Sequence, residues 1–135
     1  MARGLSELQK AILRLAYRNR QVRDERSVDL FYPEVLHEHF GWPIARTHSW
    51  RPEKGERPCG YDRYFSMREI GEAKYRKTQV SLSRAVSRLE RRGLVESGWG
   101  FGWTGRGHAI LDLTDEGVRV AERLSVNTVD TVTEG

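Results

Sequence analysis

Cysteine is nearly missing from this chain. The single one, Cys59, excludes an internal disulfide and fits a reducing compartment. No run approaches the roughly 18 apolar residues of a membrane helix, so no membrane partner is expected. The N-terminal MARGLSELQK has no apolar signal region, which points to the cytoplasm. Metal-ligating side chains are also few: His37, His39, His48 and Cys59. On a helix, His37 and His39 would point about 200° apart and share no ion, and His48 and Cys59 are distant in sequence. No metal and no cofactor is expected. Catalytic constellations are lacking too. Cys59 and His48 have no visible orienting group or oxyanion site, and Glu53 and Glu56 read as exposed loop carboxylates. We therefore expect a protein that is not an enzyme. The glycines between 98 and 107 lack the Lys-Ser/Thr ending of a nucleotide-binding loop and lie between strands.

What is present bounds one domain. The chain has 135 residues, of which 38% are hydrophobic and 31% charged, enough for a small core. Its 23 basic against 19 acidic residues give a net charge of +4, which favours an acidic partner. So small an excess matters by where it is placed.

It is placed in Lys77 to Val95, KTQVSLSRAVSRLERRGLV. At about 100° per residue, Leu82, Ala85, Val86 and Leu89 fall on one helical face, with Thr78 and Tyr75 extending the stripe. The opposite face carries Lys77, Val80, Ser81, Ser83, Arg84, Ser87, Arg88 and Arg91. Its one acid, Glu90, lies at the margin. A solvated surface helix normally mixes Glu and Lys at i,i+4. Here short hydroxyls between arginines would let a helix approach a duplex, with the arginines reaching guanine edges or phosphates. Gly93 follows Arg91-Arg92 as a C′ glycine does after a basic last turn.

The rest of the chain is ordered around this helix. Ser6 and Gln9 form a capping-box pattern opening a helix from Glu7 to about Arg20, with Arg14, Arg18 and Arg20 on its polar side. Pro33 suits the first turn of a short helix from Tyr32 to Phe40, stopped by Gly41 and Pro43. Periodicity is lost from Ile44 to about Arg68. This long basic segment carries Trp50, Tyr61, Tyr64 and Phe65, for which packing on the body is the first expectation. Ser66 caps a turn with Glu69. Either a short separate helix precedes the basic one or a break falls near Gly71, and the long helix starts between Ile70 and Thr78. Leu94-Val95 and Ile110 to Leu113 bracket a glycine-rich centre as two strands of a hairpin. Thr114-Asp115-Glu116-Gly117 opens a last helix, expected to end near Ser125. Residues 126–135 read as a flexible tail.

The order helix, short helix, basic helix, Gly-Leu-Val, glycine-tipped hairpin, Leu-Thr-Asp-Glu-Gly, helix resembles the winged helix-turn-helix. The specific segments are Ser83-Arg84-Ala85-Val86-Ser87-Arg88-Leu89-Glu90-Arg91-Arg92-Gly93-Leu94-Val95 and Leu113-Thr114-Asp115-Glu116-Gly117. Both resemble bacterial and archaeal regulators of the multiple-antibiotic-resistance-regulator (MarR-like) and related families. The resemblance implies an α+β, mainly α fold: a winged helix-turn-helix over residues 1–125 with a two-stranded wing. A long insertion, about residues 43–68, precedes the recognition helix, which departs from the tight turn of the plain fold. Either that loop is an insertion, the reading we favour, or Ser66 to Lys74 is the true second helix and Tyr32 to Phe40 is extra.

By the same resemblance, helix 78–92 enters the major groove of double-stranded DNA and wing 98–108 meets backbone or minor groove. Arg84 and Arg88 are candidates for base edges, with Ser81, Ser83 and Ser87 for close hydroxyl contacts and Val80 for a thymine methyl. Lys77, Arg91 and Arg92 are candidates for phosphates, and Arg106 helped by His108 for the wing contact. The expected function is transcription regulation by a sequence-specific homodimer. The alternatives are a winged-helix protein-interaction module and a DNA-binding replication or partition protein. No residue pattern names a small-molecule effector.

Overall fold

A computed structural model of the chain describes residues 4–22, 28–45, 65–101 and 107–134, side chains excepted at 99–101, 107–109 and 126–134. The elements run α1 (Glu7–Val22), β1 (Leu30–Phe31), α2 (Tyr32–Glu38), α3 (Met67–Ile70), α4 (Glu72–Arg91), β2 (Val95–Phe101), β3 (Gly107–Leu113) and α5 (Asp115–Glu134). The fold is α+β and mainly α, with one small antiparallel sheet in the order β1-β3-β2. No helix among the described residues is long and apolar enough to cross a membrane.

Local side-chain chemistry marks where α1, α2 and α3 begin. The expected capping box opens α1: the Ser6 N–H donates to Gln9 Oε1 at 2.9 Å and the Gln9 N–H to Ser6 Oγ at 3.1 Å. Before α2, the Phe31 N–H donates to Glu34 Oε1 at 2.8 Å, and Pro33 occupies the first turn. Ser66 Oγ caps α3 by accepting from the Glu69 N–H at 3.3 Å.

The core lies where α1, α4, α5 and the sheet meet. Ile12, Leu13 and Ala16 of α1 are fully buried, as are Leu82 and Leu89 of α4, Leu111 of β3 and Ala121 of α5. Burial of each leucine contributes about 2 kcal/mol. The buried residues of α4 are Tyr75, Thr78, Leu82, Ala85, Val86 and Leu89, the stripe read from spacing.

Three expectations require correction, and a fourth is narrowed. The sheet has three strands, because Leu30 and Phe31 pair antiparallel with Leu111 and Ile110 of β3. Two residues are too few for an alternation to register. The hairpin is longer than its glycines suggested. Its register runs from Val95↔Leu113 through Gly98↔Ile110 to Phe101↔Gly107, so most of 98–108 is ladder rather than loop. Gly98, Trp99, Gly100 and Phe101 alternate with the two-residue period of a strand, and that period decided the outcome over the glycines' weak strand propensity. The long helix starts at Glu72, within the range expected for it, after a separate turn α3 that takes Met67 and Arg68 out of the expected loop. Gly71 separates the two with φ +102°, a backbone conformation that favours glycine. Finally, α5 continues to Glu134 instead of ending near Ser125 in a flexible tail. Positions 129 and 132 return to the stripe of Val118 and Ala121 at helical spacing, and no Gly or Pro intervenes. The valines and threonines there, weak helix formers, concealed this.

The centre of the expected insertion, residues 46–64, lies outside the described residues, and with it Trp50, Tyr61 and Tyr64. Both its ends are anchored. Trp42, 1% exposed, stacks on Tyr75 of α4 at a ring separation of 4.9 Å and meets Phe65 edge-on at 5.4 Å. The chain thus leaves and returns at the N-terminal half of α4.

Candidate nucleic-acid interface

The orientation of α4 is set at both ends. At the C-terminus, Gly93 has φ +75°, its N–H donates to the Glu90 carbonyl and the Leu94 N–H to the Leu89 carbonyl, each at 3.0 Å. This is a Schellman closure, with glycine at the left-handed C′ position. The chain then turns directly into β2. Glu90 leaves the basic face for the sheet: its Oε2 accepts from the Ser97 N–H at 3.1 Å and the Ser97 hydroxyl at 3.0 Å.

The start of α5 is sewn onto this same corner. Thr114 Oγ1 donates to the Gly93 carbonyl at 2.6 Å and accepts from the Gly117 N–H at 3.0 Å. The Thr114 N–H donates to the Leu94 carbonyl at 3.0 Å. Gly117 faces that carbonyl so closely that a Cβ would stand 1.9 Å from its oxygen. Leu-Thr-Asp-Glu-Gly therefore has a physical reason here: the threonine bridges two elements and the glycine lets them touch.

A buried polar network holds α1, α2 and the sheet together behind the helix. Asp29 is fully buried, and its Oδ2 accepts from Arg20 Nη1 and from the Leu113 N–H, each at 2.8 Å. The Asp29 N–H donates to Asp112 Oδ1 at 2.8 Å. Asn19 Nδ2 donates to the Asp29 carbonyl at 2.9 Å and to Glu34 Oε2 at 3.0 Å. On the surface Arg18 and Glu38 form a two-bond pair at 3.1 and 2.6 Å, which holds the guanidinium protonated above its ordinary range.

Two sets of basic residues can now be told apart. Arg18 and Arg20 of α1, Arg76 of α4 and Arg119 of α5 each face a carboxylate within 3.0 Å. Lys77, Arg84, Arg88 and Arg91 are exposed on α4 and pair with no acid among the described residues. The helix carries six basic and two acidic residues; of the acids, Glu72 binds Arg76 and Glu90 binds Ser97. Among the described residues, the centre of the outer face is positive and faces no acidic side chain.

The expected contact residues divide as follows. Lys77, Val80, Ser81, Ser83, Arg84, Ser87, Arg88 and Arg91 lie together on the solvent side of α4. Arg92 is exposed at its C-cap. His108 is a strand residue of β3 opposite Gly100, and its side chain is not described. Arg106 lies outside the described residues.

Sequence reasoning missed the flank of this face. An open groove between α3 and α4 runs from Arg76 to Arg84 and is lined by Met67, Tyr75 and Val80. Met67 is 38% and Val80 48% exposed. A helical turn capped by Ser66 was legible, but nothing in its spacing indicated that Met67 would stand beside Val80. His37, once weighed as a metal ligand, has Nδ1 2.9 Å from the Trp42 carbonyl. His48 and Cys59 lie outside the described residues.

No protein-family model, curated protein or solved structure matches this chain.

Proposed function

We propose that the chain is a duplex-DNA-binding protein of winged-helix type, a sequence-specific transcriptional regulator acting as a homodimer. In this reading α4 lies in the major groove and the β2–β3 hairpin rests on the backbone or in the minor groove. The observation that carries it is the outer face of α4, where four exposed basic groups, without acidic partners among the described residues, alternate with serines. Arg84 and Arg88 read guanine edges. Ser81, Ser83 and Ser87 make close contacts, while Lys77, Arg91 and Arg92 hold phosphates. The Gly93 closure and the Glu90–Ser97 tie support the reading, since they fix the hairpin relative to the helix. The strand order β1-β3-β2 and the Thr114–Gly117 seam fit it as well.

The test is a gel shift on random-sequence duplex as a function of salt. The DNA reading predicts binding whose log affinity falls steeply with log salt. The exposed apolar pair Met67 and Val80 favours a second reading, a module whose basic helix meets an acidic protein. Absence of binding at about 50 mM salt, where phosphate contacts are strongest, would favour that module. Selection of bound sites from a random pool also tests the dimer, which predicts a two-fold symmetric motif.

A further inference from the structure

Among the described residues, three large hydrophobics are exposed: Val22, Met67 and Val80. Val22 ends α1, whereas Met67 and Val80 line one groove beside Arg84. The groove is cationic at its rims, with Arg84 unpaired among the described residues and Arg76 held by Glu72 at 3.0 Å. Gln79 and Ser83 supply neutral polar atoms between them. This lining suits an occupant that offers an apolar group beside an amide-complementary edge and negative charge.

Resting on the DNA reading above, we propose that this groove receives the 5-methyl group of a thymine in the base pair adjacent to the guanine read by Arg84. Val80 and Arg84 are one turn apart on α4, the separation at which helix residues meet successive base pairs. The thymine methyl is the apolar feature of the major groove, and adenine, its partner, presents the donor and acceptor that a glutamine amide matches. Met67 and Val80 cover the methyl while Gln79 meets the adenine. The groove thus sets specificity at a pair that none of the arginines touches.

The test uses the full chain and a duplex selected from a random pool. Each thymine is replaced singly by deoxyuridine, which removes only the methyl. At one position, next to the guanine whose preference Arg84→Ala relaxes, affinity should fall about four-fold, the burial of one methyl group. Val80→Ala, at a half-exposed site that does not endanger folding, should bind thymine and deoxyuridine duplexes alike there. A 5-methylcytosine·guanine pair at that position should bind more weakly than thymine·adenine, because Gln79 loses its adenine. Uracil insensitivity at every position would overturn the proposal, as would full discrimination persisting in Val80→Ala. Equal binding of the 5-methylcytosine pair would overturn the assignment to thymine. Val80-dependent displacement of the duplex by polyglutamate without any uracil effect would assign the groove to an acidic protein. A chain that binds no duplex at all would overturn the DNA reading itself.

Discussion

Replacing Gly117 with alanine tests the corner where α4, the hairpin and α5 meet. The new Cβ would stand 1.9 Å from the Leu94 oxygen and 3.0 Å from its carbonyl carbon. Ordinary contact needs well over 3 Å, so backbone must move by about 1 Å or more. The oxygen that has to retreat also accepts the Thr114 N–H at 3.0 Å. Weakening that bond costs about 1 kcal/mol, and overpacking at a tight contact adds about 1–3 kcal/mol. Against this, alanine gains about 1 kcal/mol of helix propensity over glycine. The net expectation is a destabilisation of about 1–3 kcal/mol, where an unobstructed helical glycine would give a stabilisation. Urea denaturation followed by circular dichroism measures it, with the midpoint shifted down and the slope unchanged. A Gly117→Ala chain as stable as the parent, or more so, would refute the close approach and with it the account of the Thr114–Gly117 seam.

Other predictions address the interface and its support. Arg84→Ala and Arg88→Ala should each cost about 1–3 kcal/mol of binding and relax preference at one base position, read by competition with single-base variants of a selected site. Lys77→Ala should weaken binding to all sequences alike and reduce the salt slope by about 1. Asp29→Ala removes the carboxylate that accepts from the Leu113 N–H and from Arg20, leaving Arg20 only its longer bond to the Leu113 carbonyl at 3.3 Å, and should cost about 2–4 kcal/mol in a denaturant melt. Thr114→Ala removes a helix cap and its bond to Gly93, with an expected loss of about 1–2 kcal/mol by the same assay.

What could be read from the sequence was what repeats at short range. The apolar stripe of α4 was visible because Leu82, Val86 and Leu89 recur at helical spacing. The caps at Ser6, Ser66 and Thr114 were visible because a cap is a contact three residues away. Gly93 announced its positive φ by following a basic last turn. What stayed hidden depends on distant partners. Leu30 and Phe31 become a strand only because β3 offers them a ladder. Asp29 is buried because Arg20 and the Leu113 N–H, far along the chain, meet its carboxylate. Glu90 looked like a marginal acid on the basic face, and only the turn at Gly93 brings Ser97 to it. For the candidate site, the residues of the α4 face were legible one by one. Met67 was not, since a break at Gly71 decides where α3 sits.

The proposed role of the outer face of α4 is to bind the phosphates and bases of duplex DNA. Its most direct test is to measure affinity for one duplex across a salt series, for the parent chain and for a variant with Lys77, Arg84, Arg88 and Arg91 all changed to alanine. All four are exposed and outside the core, so the variant should melt within about 1 kcal/mol of the parent. The parent should bind with a steep negative slope of log affinity against log salt. The folded variant should lose most of both affinity and slope. A folded variant that binds with the parent's affinity and slope would contradict that role.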